Sequence, residues 1–133
     1  MNSSQNNAAQ FFENHLNLIA AGKIDEMVDH DYTEDAILIT FFNGFKDMPP
    51  PITVSGRQAI KDFFRRYMAV IGKINIKTII CSHDNYKVDG KGAVLFQAEF
   101  ECDLGLMKVG DGWEIRDGKI ATHFGFWASE SSY

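Results

Sequence analysis

Hydrophobic residues recur at three- and four-residue intervals over 8–21, where Ala8, Phe11, Phe12, His15, Leu16, Ile19 and Ala20 share one face. That spacing predicts an amphipathic helix, which Gly22 can end as a C′ residue. A second, short helix is expected over Ile24 to Asp31, with Ile24, Met27 and Val28 turned inward. After Tyr32 and Asp35, the run Ala36-Ile37-Leu38-Ile39-Thr40-Phe41-Phe42 is β-branched and aromatic and reads as a strand. Asn43 to Ser55 reads as a long loop. Asn43-Gly44 is a turn signal, and Pro49-Pro50-Pro51 fits neither a helix interior nor a central strand. Loops longer than about 12 residues are often lids or flaps, and a lid and a plain surface excursion are both open here. Ser55 can cap a helix over Gly56 to Ile71, with Ala59, Ile60, Phe63, Phe64, Tyr67 and Met68 on one face and Gly72 at its end.

From Ile74 onward the period changes to two. A strand is expected over Ile74 to Tyr86, a hairpin turn at Asp89-Gly90, and a strand over Lys91 to Asp103. In the latter, Phe96, Ala98, Phe100 and Cys102 face one way and Gln97, Glu99, Glu101 and Asp103 the other. Leu106 to Arg116, a turn at Asp117-Gly118 and Lys119 to Ala128 complete the pattern. The inward residues of the last strand are Ala121, His123, Gly125 and Trp127 by continuation. Gly105, Gly110 and Gly112 read as bulges that bend the sheet. Helix, helix, strand, helix and then four turn-linked strands define an α+β domain with an antiparallel sheet covered by helices on its apolar face.

Composition adds a cavity to this outline. A chain of 133 residues suits one domain, assigned to residues 8–133, with residues 1–7 as a frayed, flexible N-terminal tail. Eleven phenylalanines are many for so short a chain, and an aromatic-walled pocket is one outlet for them. The net charge of −5 argues against nucleic-acid binding, which needs basic patches. The one basic cluster, Lys61, Arg65 and Arg66, sits beside Asp62 and reads as a solvated helix face. Cys81 and Cys102 fall inside expected strands without CxxC spacing and read as buried, reduced thiols. No apolar run reaches the roughly 18 residues of a membrane span, and the start has no leader-like pattern. A cytoplasmic location with no membrane partner is the default expectation.

The element order, together with Ala21-Gly22-Lys23-Ile24-Asp25, Tyr32-Thr33-Glu34-Asp35-Ala36, Gly56-Arg57-Gln58-Ala59-Ile60 before Phe63-Phe64, and Glu114-Ile115-Arg116-Asp117-Gly118-Lys119-Ile120, resembles the nuclear-transport-factor-2-like superfamily. That group includes SnoaL-like cyclases, ketosteroid isomerases and limonene-epoxide hydrolases. The resemblance spans nearly the whole chain and implies a cone, a cystatin-like α+β barrel in which a curved sheet wraps the N-terminal helices around a pocket. It also implies a homodimer formed through the outer sheet face, which suits Gln97, Glu99 and Glu101 as a polar outer surface. The reaction is less defined, because a fold hosts many functions.

Measured against the ketosteroid-isomerase pattern, Asp111 falls at the carboxylic acid that holds an enolate oxygen, His15 at the helical tyrosine donor, and Thr40 at the catalytic base, a role threonine cannot fill. Measured against the SnoaL-like pattern, His123-Phe124-Gly125 keeps the histidine and lacks the aspartate. The epoxide-hydrolase carboxylate is likewise absent at Gly125, with Gln97 and Ala98 in place of its Arg-x-Asp. His15, Asp111 and His123 remain as an acid–base set, with Tyr32 and Thr40 near by. The expected walls are Phe11, Phe41, Phe64, Phe96, Phe100, Trp113 and Trp127. A buried aspartate beside a histidine orients the ring and tunes its pKa. The bland alternatives are open too: His15 as a hydrogen-bonded core histidine, Asp111 as a bulge residue, His123 as a structural partner. No HxxxH or HxH spacing indicates a metal, and His30-Asp31 and His83-Asp84 read as caps or turns. Two functions follow. One is a cofactor-independent isomerase or lyase acting on a small apolar carbonyl compound, with Asp111 and His123 moving protons and His15 polarising the oxygen. The other is a non-catalytic module that binds a small ligand or serves assembly.

Overall fold

The computed structural model describes residues 8–86 and 91–129, with side chains described over 10–79 and 91–126. The expected tail at 1–7 and the Asp89-Gly90 turn lie outside the described residues. The elements run α1 (Ala8–Ala20), α2 (Ile24–Asp31), β1 (Tyr32–Thr40), β2 (Ile52–Ser55), α3 (Arg57–Ile71), β3 (Asn75–Tyr86), β4 (Gly92–Cys102), β5 (Gly105–Arg116) and β6 (Lys119–Ser129). Together they form an α+β fold in which the helices pack on one face of a curved, unclosed six-stranded sheet. Strand order is β2-β1-β6-β5-β4-β3.

The sheet is mixed rather than purely antiparallel. β1 pairs with β6 in parallel, while β1–β2, β3–β4, β4–β5 and β5–β6 are antiparallel. Parallel neighbours need a long crossover, and everything from α3 through β5 supplies it. This pairing places Leu38 beside His123 and Thr40 beside Gly125. The β5–β6 hairpin then sets Trp113 opposite His123 and Asp111 opposite Gly125. Its turn has φ of 56° at Asp117 and 73° at Gly118, the left-handed pair that two-residue hairpins favour.

Several expectations change. The segment expected to be loop through Ser55 ends instead in β2, where Ile52-Thr53-Val54-Ser55 pairs with Thr40 to Ile37. Its β-branched residues suit a short edge strand once the prolines are past. Ser55 is therefore a strand end. Gly56 occupies the N-cap with φ 87° and no side-chain cap bond. The remainder of the segment is tied down: Phe42 and Phe45 are buried in the core, and Arg66 lies over the Phe45 ring while pairing with Asp47. The expected bulges at Gly105, Gly110 and Gly112 are absent, since β4–β5 pairing runs without a shift from Gly92↔Ile115 to Cys102↔Gly105. Irregularities fall elsewhere, at Tyr32/Ile37, Ile76/Thr78, Cys81/His83 and Glu114/Ile115. Gly112 serves packing: a Cβ there would meet Leu95 Cδ2 at 3.1 Å.

The inner face carries Val94, Phe96, Ala98 and Phe100 of β4 and Met107, Trp113 and Ile115 of β5, packed on Phe12, Ile60, Phe63 and Phe64 from the helices. The outer face divides. Towards β3–β5 it is charged, with Lys77–Glu101 and Lys108–Glu99 ion pairs. Towards β1 and β6, and at Leu95 of β4, it is apolar: Ile37, Phe124, Phe126 and Leu95 are exposed. Among the described residues no helix is long and apolar enough to cross a membrane.

Candidate functional site

A cavity of about 100 Å³ opens between α1, α3 and the inner face of the sheet. Its wall is mostly apolar: Leu16 and Ile19 from α1, Phe63 and Phe64 from α3, and Phe96, Ala98 and Phe100 from β4. His15, Thr40, Tyr67, Asp111 and His123 supply its polar groups, with Gly125 between them. A mainly hydrophobic hollow with a few convergent polar side chains is the usual form of a small-molecule site.

Strands β1, β5 and β6 bring Tyr32, Asp111 and His123 into one polar chain. Tyr32 OH and His123 Nδ1 are 2.6 Å apart, and His123 Nε2 lies 3.5 Å from Asp111 Oδ1. Burial raises the Tyr32 hydroxyl well above its ordinary pKa, and the Asp111 and Asp31 carboxylates push it the same way. The phenol therefore stays protonated and can donate to Nδ1, the arrangement that leaves Nε2, the nitrogen nearer Asp111, to carry the imidazole proton. Tyr32 is itself held at the α2–β1 junction, where Arg57 donates from Nε and Nη2 to its carbonyl oxygen at 3.0 and 2.7 Å.

Asp111 owes its position to Gly125. A Cβ at 125 would lie 2.7 Å from Asp111 Oδ1, so the carboxylate fills the volume a side chain on β6 would take. The position that lacks the SnoaL-like aspartate is thus occupied by a carboxylate from the neighbouring strand. That could not be read from the His123-Phe124-Gly125 string alone; it needs the β5–β6 register.

His15, whose ring centroid lies 6.4 Å from that of His123, donates from Nδ1 to Asp31 Oδ2 at 2.9 Å. Asp31, fully buried at 0% exposure, also receives His30 Nδ1 on Oδ1 at 2.7 Å. Burial lowers the pKa of His15 below the ordinary histidine value, against the raising influence of the Asp31 hydrogen bond and charge. A neutral ring protonated on Nδ1 offers a lone pair at Nε2. In that form His15 can accept a proton at Nε2. Tyr67 also lines the cavity, and burial, with Asp111 next, raises its hydroxyl well above the ordinary value, so it stays protonated and can donate.

The structure brings His15, Asp111 and His123 to one cavity, with Thr40, Phe64, Phe96 and Phe100 on its wall. Tyr32 and Trp113 stand behind the wall, fully buried, Tyr32 reaching the site through His123. Trp113 packs edge-on to His15 and Phe96. Phe41 is a correction. It does not line the cavity, and its ring stacks at 5.4 Å on Phe126, which stands at the cavity's edge. The Trp127 side chain lies outside the described residues. Two site residues carry no signal of their role in the sequence: Asp31 reads as a helix-end cap and Tyr67 as core. Among the described residues no group of three or more His, Cys, Asp or Glu side chains could hold a metal ion.

Comparison with solved structures addresses the fold. An NTF-2 like protein of unknown function from Burkholderia xenovorans superposes with a TM-score of 0.62 at 15% identity, covering 91% of this chain and 82% of that one. A SnoaL-like protein of unknown function from Burkholderia thailandensis gives 0.64 at 13% identity, covering 92% and 94%. The fold is the NTF2-like, SnoaL-like one. IdmH from Streptomyces antibioticus, a candidate polyketide cyclase, has a TM-score of 0.65 at 14% identity, covering 90% of each chain. No family model matches the sequence, and no curated protein matches it. Identities this low carry the NTF2-like architecture and leave the reaction to the site.

Proposed function

We propose that this NTF2-like, SnoaL-like domain is a cofactor-independent isomerase or lyase that moves protons on a small apolar carbonyl compound. The observation that supports this most is the Tyr32–His123–Asp111 chain, which ends in a carboxylate on the wall of a mostly apolar cavity. Asp111 takes the proton from the carbon next to the carbonyl, steadied by Nε2–H of His123. The Tyr67 hydroxyl receives the carbonyl oxygen, where negative charge develops. Asp111, protonated in that step, gives the same proton back at the new carbon, and His15 Nε2 stands beside it as a second acceptor. A cavity of about 100 Å³ is small beside the ~300–1,000 Å³ of drug-sized sites. It favours a substrate of about one ring.

The second reading, a module that only binds such a ligand, is favoured by the predominantly apolar lining. One experiment separates the two. Small cyclic ketones, cyclopentanone and 3-cyclohexenone among them, are incubated with the protein in D2O, and deuterium entry at the α-carbon is followed by NMR. Enzyme-dependent exchange that falls ~10²–10⁴-fold in Asp111→Asn, the range for loss of a general base, supports catalysis. Ligand-induced shifts of cavity resonances without exchange, or equal exchange by both proteins, would leave the binding reading.

A homodimer through the outer sheet face is part of the same proposal. The exposed Phe124, Phe126 and Leu95, with Phe41 stacked among them, form an apolar patch of the kind that marks an interface.

A further inference from the structure

The His15–Asp31–His30 cluster does not belong to the Tyr32–His123–Asp111 chain. We propose that Asp31 is a positioning residue that holds His15 as a cavity-facing base, with His30 locking the carboxylate from the solvent side. The inference deepens the acid–base reading above and rests on it for its purpose, though its geometry stands by itself.

A carboxylate in a protein interior is costly unless its oxygens are satisfied. Asp31 is satisfied at both, by one ring on each oxygen: His15 Nδ1 on Oδ2 at 2.9 Å and His30 Nδ1 on Oδ1 at 2.7 Å. Its plane is thereby fixed from two directions. The two donors differ in environment. His15 is 2% exposed and lines the cavity, while His30 is 68% exposed and faces water. His30 is anchored a second way, because Lys119 Nζ donates to its carbonyl oxygen at 2.6 Å.

The consequence for His15 is a choice of tautomer. A ring that donates from Nδ1 to a carboxylate leaves Nε2 bare. Nε2 has no hydrogen bond to a described residue, so its lone pair is available at the wall. The Asp–His pair of serine hydrolases works by the same logic, the aspartate fixing which nitrogen acts as base. A helix-end cap would need only one oxygen and would not reach from α2 to a ring 16 positions earlier on α1.

The test reads the tautomer directly. Long-range ¹H–¹⁵N NMR on the wild-type protein at pH 7.5 is expected to show His15 with a protonated Nδ1 and a bare Nε2. A His15 ring protonated on Nε2 overturns the proposal. Asp31→Ala is expected to shift the ring to the Nε2–H form and to slow α-proton exchange about 10²-fold, the scale of a misplaced catalytic group. Asp31→Asn, whose amide oxygen can still accept from Nδ1, is expected to keep much of the wild-type tautomer. An unchanged tautomer in folded Asp31→Ala also overturns the proposal. If Asp31→Ala does not fold, the wild-type and Asp31→Asn spectra decide. The expected tautomers without any α-proton exchange by the wild type would sink the proposed reaction and leave the positioning role standing.

Discussion

Gly125→Ala isolates the position of one carboxylate. The new methyl group would sit 2.7 Å from Asp111 Oδ1 and 3.7 Å from Thr40 Oγ1. Ordinary contact begins near 3.4 Å, so Oδ1 has to retreat by about 0.7 Å while Thr40 need not move. The atom that yields is the tip of a side chain, and forcing it off its rotamer costs roughly 0.5–1.5 kcal/mol. For a domain of this size that is a few degrees of melting temperature, at roughly 2–8 °C per kcal/mol. The chemistry is far less forgiving. His123 Nε2 and Asp111 Oδ1 are already 3.5 Å apart, and misplacing a reacting group by about 1 Å costs on the order of 10²-fold. The expected result is a folded protein with nearly unchanged stability and α-proton exchange reduced 10- to 100-fold. Thermal melts and the D2O exchange assay measure the two effects, with Asp111→Asn as the floor. The exchange asymmetry has a built-in control. Asp111 and Gly125 are direct cross-strand partners, so the double variant Asp111→Gly/Gly125→Asp returns one carboxylate to the same volume and is expected to recover part of the activity. Wild-type exchange in Gly125→Ala would refute the assignment of Asp111. A loss of more than about 3 kcal/mol would show that the backbone, and not the carboxylate tip, absorbs the clash.

Three further outcomes are expected. Tyr32→Phe removes the donor to His123 Nδ1 at a fully buried position; leaving that nitrogen unpaired should cost about 1–3 kcal/mol in urea unfolding and change the His123 tautomer seen by NMR. Because burial lowers the pKa of His15 in the folded state, the unfolded chain binds the proton first as pH falls below about 6.5. Stability should therefore decline on acidification from pH 7.5 towards the lowered native value, by up to roughly 1.4 kcal/mol per pH unit from this group; an unchanged slope in His15→Gln would discount it. Phe126→Lys, at a side chain 56% exposed in the outer aromatic patch, should shift sedimentation from dimer to monomer without altering the melting curve of the monomer. A monomeric wild type would remove the interface.

The division between what was legible in the sequence and what was not follows the range of each interaction. Element type was legible because it depends on neighbours within a few positions: the three-to-four spacing of Phe12, Leu16 and Ile19, the alternation through Phe96, Ala98 and Phe100, and the Asp117-Gly118 turn. The same alternation decides Phe41. It lies one position past the inward Thr40, and parity sends it outward. β2 was hidden because four residues after a proline run carry little periodic signal. The site itself depends on contacts far apart in the chain. Asp31 looked like a cap beside His30, since its deciding partner, His15, meets it only where α1 packs on α2. Tyr32 and His123 stand 91 positions apart. Gly125 read as a missing carboxylate until the β5–β6 register showed Asp111 in the space it leaves open. Residue types and periodicity determined the helices, the strands and the apolar pocket; the packing and register of distant segments decided which polar groups share it, because a hydrogen bond between remote residues leaves no periodic trace in the chain.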